Sequence, residues 1–287
     1  MNSDNNFLLF GIVFVLIAFL FKIGAAPFHV WLCDVYDGSI ISVTFLFAAL
    51  PKIIIFGVFI KIFLVLFYPF KTVLMPFFLF ASLSSICIGS VSALYQKRLK
   101  RLFAYSTIAH TGFILLGFVA SYSESVETIF FYITAYVCLT ILLFSMIIYA
   151  SVSTNRFPTY IVSWTASSSR NHVFILSFTL TLFSIAGIPP LLGFFSKFFI
   201  ILSVIGAEYY TTSLVIIIFS SIACFYYIRM VKIMFFINNN KNNIWVTHKS
   251  KQNTEVIIGS FMFFIICYFL HPNLIVDFSN VVGLLLF

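Results

Sequence analysis

The stretch SIAGIPPLLGFFSK, from Ser184 to Lys197, lies inside an apolar run that extends over residues 173–205. A helix that crosses the roughly 30 Å core of a bilayer needs about 20 residues, so this run is too long for one simple crossing. Pro189 and Pro190 lack the backbone N–H that a helix interior requires, and Gly187 comes shortly before them. The stretch therefore predicts a discontinuous membrane helix that is broken at Pro189-Pro190, with Gly187 at the break.

The rest of the chain has the composition of a membrane protein. Of its 287 residues, 62% are hydrophobic and only 8% are charged, and the mean hydropathy is +1.13. A soluble domain is not compatible with these values, so we predict an all-α polytopic membrane protein formed by a single membrane domain, residues 1–287. At about 20 apolar residues per crossing, we expect about eight transmembrane helices. Their predicted ranges are 7–24, 40–67, 73–94, 99–120, 126–150, 173–205, 210–236 and 254–271.

The second of these ranges, 40–67, is also longer than one crossing needs. It contains Pro51, which predicts a further kink or break in that helix. The residues between the first two ranges, from Pro27 to Ser39, form an amphipathic segment that we expect to lie at the membrane interface. The last residues, 274–287, are apolar but too few to span a bilayer.

The net charge of +8 follows membrane topology, and we expect no nucleic acid partner. Basic residues are enriched in the inner loops of membrane proteins, and the segment from Lys97 to Arg101 is the most basic loop of the chain. If this loop is placed on the inner face and the helices alternate, both termini fall on the outer side. Forty phenylalanines, whose codons are AT-rich, are typical of an AT-rich genome such as that of an organelle.

Three lysines interrupt the apolar runs, namely Lys22, Lys52 and Lys197. A charge inside a bilayer costs roughly 3 kcal/mol or more, so such residues are rare and usually functional. Because burial disfavours the charged form, a buried lysine can exchange its proton near neutral pH. We therefore predict that these lysines transfer protons.

His110 is the fourth candidate for proton transfer, because an imidazole titrates near neutral pH. Ser106, Thr107 and Thr111 surround it in the sequence and could hold water along the same face. The alternative is a packed polar histidine without a functional role. A complete relay is expected to include an acidic partner, and no carboxylate falls at mid-depth in the predicted helices.

The five cysteines are isolated and show no spacing typical of a metal site. We therefore expect no metal or iron–sulfur site, and no bound cofactor, in this chain.

Four segments together resemble a known family. They are FKIGAAPFHVWLCDVYDGS (21–39), VTFLFAALPKIIIF (43–56), QKRLKRLFAYSTIAHTGFILLGF (96–118) and SIAGIPPLLGFFSKF (184–198). In this order and spacing they resemble the antiporter-like proton-pumping subunits of respiratory complex I. Within that family, the resemblance is strongest to the branch called NADH dehydrogenase subunit 2, or subunit N in bacteria.

The resemblance implies an antiporter-like fold of which this chain corresponds to helices seven to fourteen, without the N-terminal helices. Residues 7–67 resemble the end of the first inverted repeat, 73–236 resemble the second repeat, and 254–287 resemble the C-terminal helix and tail. The resemblance gives Lys22 the place of the family's buried lysine, Lys52 that of the connecting lysine, and Lys197 that of the terminal lysine in the broken helix. Helices one to six, with the glutamate that partners the first lysine, have no counterpart. The missing half is supplied by a separate chain, has been lost, or belongs to a sequence that is incompletely defined.

The function that the resemblance implies is that of a proton-translocating membrane-arm subunit of NADH:ubiquinone oxidoreductase in the mitochondrial inner membrane. The FMN, iron–sulfur clusters and ubiquinone of that complex would lie outside this chain, which would carry out no redox chemistry. Its partners would be neighbouring antiporter-like subunits of the membrane arm, a chain with the N-terminal helices, and lipids. Two alternatives remain: a structural scaffold that has lost pumping, and a subunit of a cation/proton antiporter or membrane hydrogenase.

Overall fold

The structure, a computed structural model, describes residues 3–119, 122–154, 159–164, 172–236, 252–268, 276–279 and 281. These residues form mainly helices, as the sequence predicts for an all-α membrane protein. The α-helices, in chain order, are α1 (Ser3–Ile23), α2 (Val30–Gly38), α3 (Ile41–Ile60), α4 (Lys71–Leu94), α5 (Leu99–Leu116), α6 (Tyr122–Thr154), α7 (His172–Ala186), α8 (Leu192–Gly206), α9 (Tyr210–Phe236) and α10 (Gln252–Cys267).

Five helical segments in the described part of the chain are long and apolar enough to cross a membrane. They are Ile41–Leu66, Tyr68–Leu94, Leu99–Val119, Ser125–Ser151 and Tyr210–Phe235. Shorter apolar helices cover Phe7–Ile23, Val173–Ala186 and Leu192–Gly206. The described parts of the predicted spans therefore fall on helices. Residue 120 of the fourth span, residues 269–271 of the last span, and residues 272–275, 280 and 282–287 of the C-terminal tail lie outside the described residues.

The predicted span 173–205 consists of two helices, α7 and α8, separated by Gly187–Leu191. At 1.5 Å per residue, each of these 15-residue helices is about 22 Å long, which is shorter than the bilayer core. The predicted helix break at Pro189-Pro190 is therefore confirmed.

The other predicted irregularity falls at a different place. Helix α3 runs through Pro51 without ending, and the irregular backbone is the π-helical segment Lys61–Leu66 that follows α3. A single proline removes only one N–H donor, which neighbouring groups in a membrane helix can compensate. The extra length of this span is taken up in the π-helical turn.

Helix α5 lies at the centre of the described helices, and nearly its whole length is buried. It packs closely on α4 through small residues, as membrane helices commonly do. At Gly89 of α4, an added Cβ would lie 2.7 Å from the backbone nitrogen of Ala109 and 2.8 Å from the carbonyl oxygen of Tyr105. Helices α2, α6 and α8 also contact α5, and Lys52 of α3 reaches it through a hydrogen bond to the Thr107 carbonyl.

The amphipathic helix α2 is attached to the start of α5 by ion pairs. Asp37 contacts Arg98 at 2.5 Å and Arg101 at 2.9 Å. At the same end, the Leu99 amide donates to the Thr159 carbonyl, and the Ile161 amide donates to the Lys97 carbonyl, both at 3.0 Å. The segment before α5 and the segment after α6 thus lie at one end of the bundle, which agrees with the alternation of helices assumed for the topology.

Candidate functional site

Lys52 lies in the middle of the described helices rather than at their surface. Its side chain is 4% exposed, and its Nζ donates to the hydroxyl of Tyr136 at 3.2 Å and to the carbonyl of Thr107 at 3.4 Å. The same ammonium lies 5.0 Å from the centre of the Tyr136 ring. Helix α6 thus provides the main partner of this lysine, through a phenol and its π face.

His110 is buried on α5, one turn after Thr107. Its Nδ1 lies 2.7 Å from the hydroxyl of Tyr132, a neighbour of Tyr136 on α6. The charges of both Lys52 and Lys197 act on the imidazole. Lys52 contacts α5 at Thr107 and Lys197 contacts it at Phe113, so His110 lies between the two lysine contacts along this helix.

A cavity of about 30 Å³ connects these groups. A water molecule needs about 10–15 Å³ when volume is measured in this way, so the space suits about two waters. Polar residues from three helices line it, although several of their hydroxyls donate to carbonyls of their own helix. The polar lining residues are Ser106, Thr107, His110, Tyr132, Tyr136, Thr140 and Ser196.

Lys197 lies beside the same cavity, at the break between α7 and α8. Its side chain is 7% exposed, and its Nζ donates to the carbonyls of Ile185 at 3.2 Å and Ala186 at 2.6 Å. The ring of Phe113 on α5 lies 5.5 Å from the ammonium. The cationic side chain thus meets the negative end of the α7 dipole.

The way in which α7 ends explains why these two carbonyls are available. The Gly187 amide bonds to the Ser184 carbonyl at 3.0 Å, and the Ile188 amide bonds to the Phe183 carbonyl at 3.0 Å. This is the pattern of a Schellman motif, with Gly187 in the left-handed conformation at φ 88°. The motif uses the carbonyls of Phe183 and Ser184, while Pro189 and Pro190 have no N–H to offer. The carbonyls of Ile185 and Ala186 are therefore left for Lys197.

Lys22 does not join this cluster. It lies in the last turn of α1, and its side chain is exposed on the surface of the described helices. The burial that the sequence predicts for this lysine is thus wrong for the chain by itself, because no described helix covers that face of α1. Its role in proton transfer stays a prediction.

Of the hydroxyl residues predicted to surround His110, Ser106 and Thr107 line the cavity. Thr111 is not among the lining residues. All three hydroxyls donate to a carbonyl three residues earlier in α5. One residue of α2 approaches the group from the interface side: Tyr36 is buried, with its hydroxyl on the side of Thr107 but without a hydrogen-bond partner among the described residues. Burial raises the pKa of the Tyr36 phenol, so this hydroxyl stays protonated.

The sequence interpretation missed the tyrosines of α6. Tyr132, Tyr136 and Thr140 follow one another at intervals of four residues, which places them on one face of the helix. A stripe of polar residues along one face of an otherwise apolar helix indicates that this face lies against other polar groups, so the sequence did contain a signal for these tyrosines. The expected acidic partner is replaced: the described contacts of Lys52, His110 and Lys197 are with phenol hydroxyls, backbone carbonyls and aromatic rings.

The family whose sequence pattern matches the chain is described as "NADH:quinone oxidoreductase/Mrp antiporter, TM", and the match covers residues 1–224. The NADH-quinone oxidoreductase subunit N of Pelagibacter ubique is 39% identical over 209 residues, which are 71% of this chain and 43% of that protein. The NADH-ubiquinone oxidoreductase chain 2 of Marchantia polymorpha is 37% identical over 204 residues, with 71% and 41% covered. The sea anemone Metridium senile has a chain 2 that is 39% identical over 192 residues, with 67% and 46% covered.

Solved structures share the fold at lower identity. A chain of respiratory complex I from Thermus thermophilus has a TM-score of 0.73 and 23% identity, over 91% of this chain and 57% of that one. A chain of the Mrp complex from Dietzia sp. has a TM-score of 0.81 and 17% identity, over 94% and 57%. In the curated relatives from Pelagibacter, Marchantia and Metridium, the match covers less than half of the relative's own length.

Proposed function

Since the chain belongs to the family of NADH:quinone oxidoreductase and Mrp antiporter membrane proteins, we propose that it forms part of a proton-translocating membrane subunit of NADH:quinone oxidoreductase. The relatives named subunit N or chain 2 support this choice within the family. The chain is a multi-pass membrane protein, and relatives from a liverwort and a sea anemone support a mitochondrial inner membrane.

The observation that carries the proposal is the placement of Lys52, His110 and Lys197 near one small cavity. His110 lines the cavity, Lys52 bonds to Tyr136 in its lining, and Lys197 follows Ser196 in its lining. Three groups that can gain or lose a proton are buried together in an otherwise apolar helix bundle. Burying such groups is expensive unless function requires it. Their positions support a path in which a proton moves between Lys52 and His110, and between His110 and the helix break at Lys197.

In this proposal, other subunits of the complex oxidise NADH and reduce quinone, and this chain holds no redox cofactor. The charge changes on its lysines follow from events at those subunits. The exposed face of α1, with Lys22, is expected to contact the part of the family fold that precedes this region, either on the same polypeptide or on another. The distribution of loop charges supports a topology in which both termini lie on the outer side of the membrane.

Proton transport by complexes that carry Lys52→Met tests the proposal. Sealed inner-membrane vesicles are given NADH and quinone, and proton uptake and NADH oxidation are recorded together. Methionine matches the length of the lysine stem but has no proton to transfer, so we expect fewer protons transported per NADH. Lys61→Met is the matched control, because Lys61 lies in the turn that continues the same helix and its side chain is exposed. Unchanged stoichiometry in Lys52→Met, with the complex fully assembled, would favour a scaffold without pumping.

A second candidate is a subunit of a cation/proton antiporter, which the family description and the fold of the Mrp chain favour. Vesicles without NADH distinguish the two functions. Cation-dependent proton movement that requires no NADH would select the antiporter, whereas proton movement that starts only on addition of NADH would select the oxidoreductase.

A further inference from the structure

We propose that the hydroxyl of Tyr136 carries the proton between Lys52 and the cavity water, which then exchanges it with His110. This inference rests on the proposed function and assigns a further residue to it. The contacts of Lys52 favour such a carrier, because its described hydrogen bonds reach Tyr136 and a backbone carbonyl but not His110.

A phenol is suited to this position because its oxygen can accept one proton while its O–H gives up another. Tyr136 oxygen accepts a hydrogen bond from Lys52 Nζ at 3.2 Å, and its own hydroxyl donates to the carbonyl of Ala48 at 3.3 Å. The common O–H···O distance is about 2.7–2.8 Å, so the bond to Ala48 is long and weak. The hydroxyl can therefore leave Ala48 and turn to a water molecule in the cavity.

His110, the group that would receive the proton, lies close to Tyr136. Tyr136 and His110 both line the cavity, and their rings lie 5.5 Å apart between centres. The hydroxyl of Tyr132 is bonded to Nδ1 of His110 at 2.7 Å and thereby holds the imidazole in position. The other ring nitrogen, Nε2, is left to exchange a proton with water. The distances favour a short chain of Lys52, Tyr136, about one water and His110.

The step balances without any further reactant. The N–H bond of the Lys52 ammonium breaks as its proton bonds to the Tyr136 oxygen. The original O–H bond of Tyr136 breaks as that proton passes to water, and water passes a proton to Nε2 of His110. Lys52 becomes neutral, Tyr136 and the water are regenerated, and His110 gains the positive charge. The reverse sequence returns the proton.

The Tyr136→Phe variant tests this role in assembled complexes in sealed vesicles. Phenylalanine keeps the ring beneath Lys52 but removes the hydroxyl. Positioned acid–base groups typically contribute 10²–10⁴-fold, and water can bridge part of the gap, so we expect proton transport to slow by about tenfold or more. The control is Tyr268→Phe. It removes a buried hydroxyl that has no hydrogen-bond partner among the described residues, and its ring packs against Phe131 and Phe195 rather than lining the cavity. It should transport protons at the normal rate.

A second pair of variants separates proton transfer from packing. Histidine at position 136 can accept and donate a proton, whereas glutamine can bond to Lys52 but cannot pass a proton on readily. We expect Tyr136→His to transport protons about tenfold faster than Tyr136→Gln at equal amounts of assembled complex. Equal proton-transport rates in Tyr136→His and Tyr136→Gln would overturn the proposal. This comparison remains decisive even when Tyr136→Phe does not assemble.

The Lys52→Met variant separates the failure of this inference from that of the proposed function. Slow transport in Lys52→Met together with normal transport in Tyr136→Phe would overturn the role of Tyr136 and leave the function intact. Normal transport in Lys52→Met would overturn the function, and the role of Tyr136 with it.

Discussion

The ammonium of Lys197 lies 2.6 Å from the carbonyl oxygen of Ala186, the last residue of α7. A buried positive charge is therefore held by the end of a helix rather than by a carboxylate. Helix ends carry a partial charge of about half an elementary unit, so the interaction is weaker than a buried ion pair. A lysine held in this way can lose its proton without leaving a full negative charge behind.

Gly187 is the residue on which this arrangement most depends. Its φ of 88° is unfavourable for other residues, and an added Cβ would lie 2.9 Å from Cδ of Lys197. We expect Gly187→Ala to lower stability by about 1–3 kcal/mol through backbone strain and to displace Lys197 from the α7 carbonyls. Thermal unfolding of the purified complex, together with proton transport, measures both effects.

Gly11→Ala provides the control for that substitution, because an added Cβ there would meet nothing within 4 Å. Its stability should equal or slightly exceed that of the original, since alanine favours helix more than glycine. A Gly187→Ala variant that is as stable and active as Gly11→Ala would show that the glycine is not needed at the break.

The packing of α4 on α5 predicts the effect of a substitution at Gly89. The nearest atoms to an added Cβ are backbone atoms of α5, at 2.7 Å and 2.8 Å, so the helices must move apart to accept it. We expect Gly89→Ala to destabilise the protein by about 1–3 kcal/mol, the usual cost of overfilling a packed core. Unfolding temperature and resistance to proteolysis in detergent are the measurements.

Because α5 carries His110 and Thr107, proton transport should also decline in Gly89→Ala. The matched substitution is Gly57→Ala, at an open position on the membrane helix that carries Lys52. If Gly89→Ala and Gly57→Ala are equally stable, the contact of α4 with α5 is looser than the 2.7 Å and 2.8 Å distances at Gly89 indicate.

The ion pairs of α2 predict a salt-dependent attachment of this helix. Asp37 pairs with both Arg98 and Arg101, and it raises the pKa of the Arg98 guanidinium, so this arginine stays charged at every physiological pH. Exposed pairs contribute little to stability in general and are screened by salt. We expect Asp37→Asn to make the segment from Pro27 to Ser39 more accessible to protease at low salt, with a smaller difference at high salt.

Asp34→Asn is the comparison for Asp37→Asn. Asp34 is largely exposed and approaches Arg101 only to 3.9 Å, so its removal should change protease accessibility much less. Equal sensitivity of the two variants would mean that net charge, rather than the pairing of Asp37, controls the attachment of α2.

The sequence by itself determined the features that depend on local chemistry. Apolar runs of sufficient length specify membrane helices, because a bilayer offers backbone groups no other partners. Two prolines after Gly187 specify the break between α7 and α8, because they have no N–H to continue the helix. Lys52, His110 and Lys197 could be selected as candidates because charged and titratable groups are rare in apolar runs.

Only the tertiary structure decided which groups meet. Tyr136 and Lys52 are separated by 84 residues, and nothing in either local sequence states that α6 brings the phenol to the lysine. The same holds for the carbonyls that bind Lys197, since every helix end offers carbonyls and packing selects the pair that is used. Lys22, which resembles the other lysines in sequence, lies apart from them because burial depends on what covers a helix face, and local sequence does not encode that.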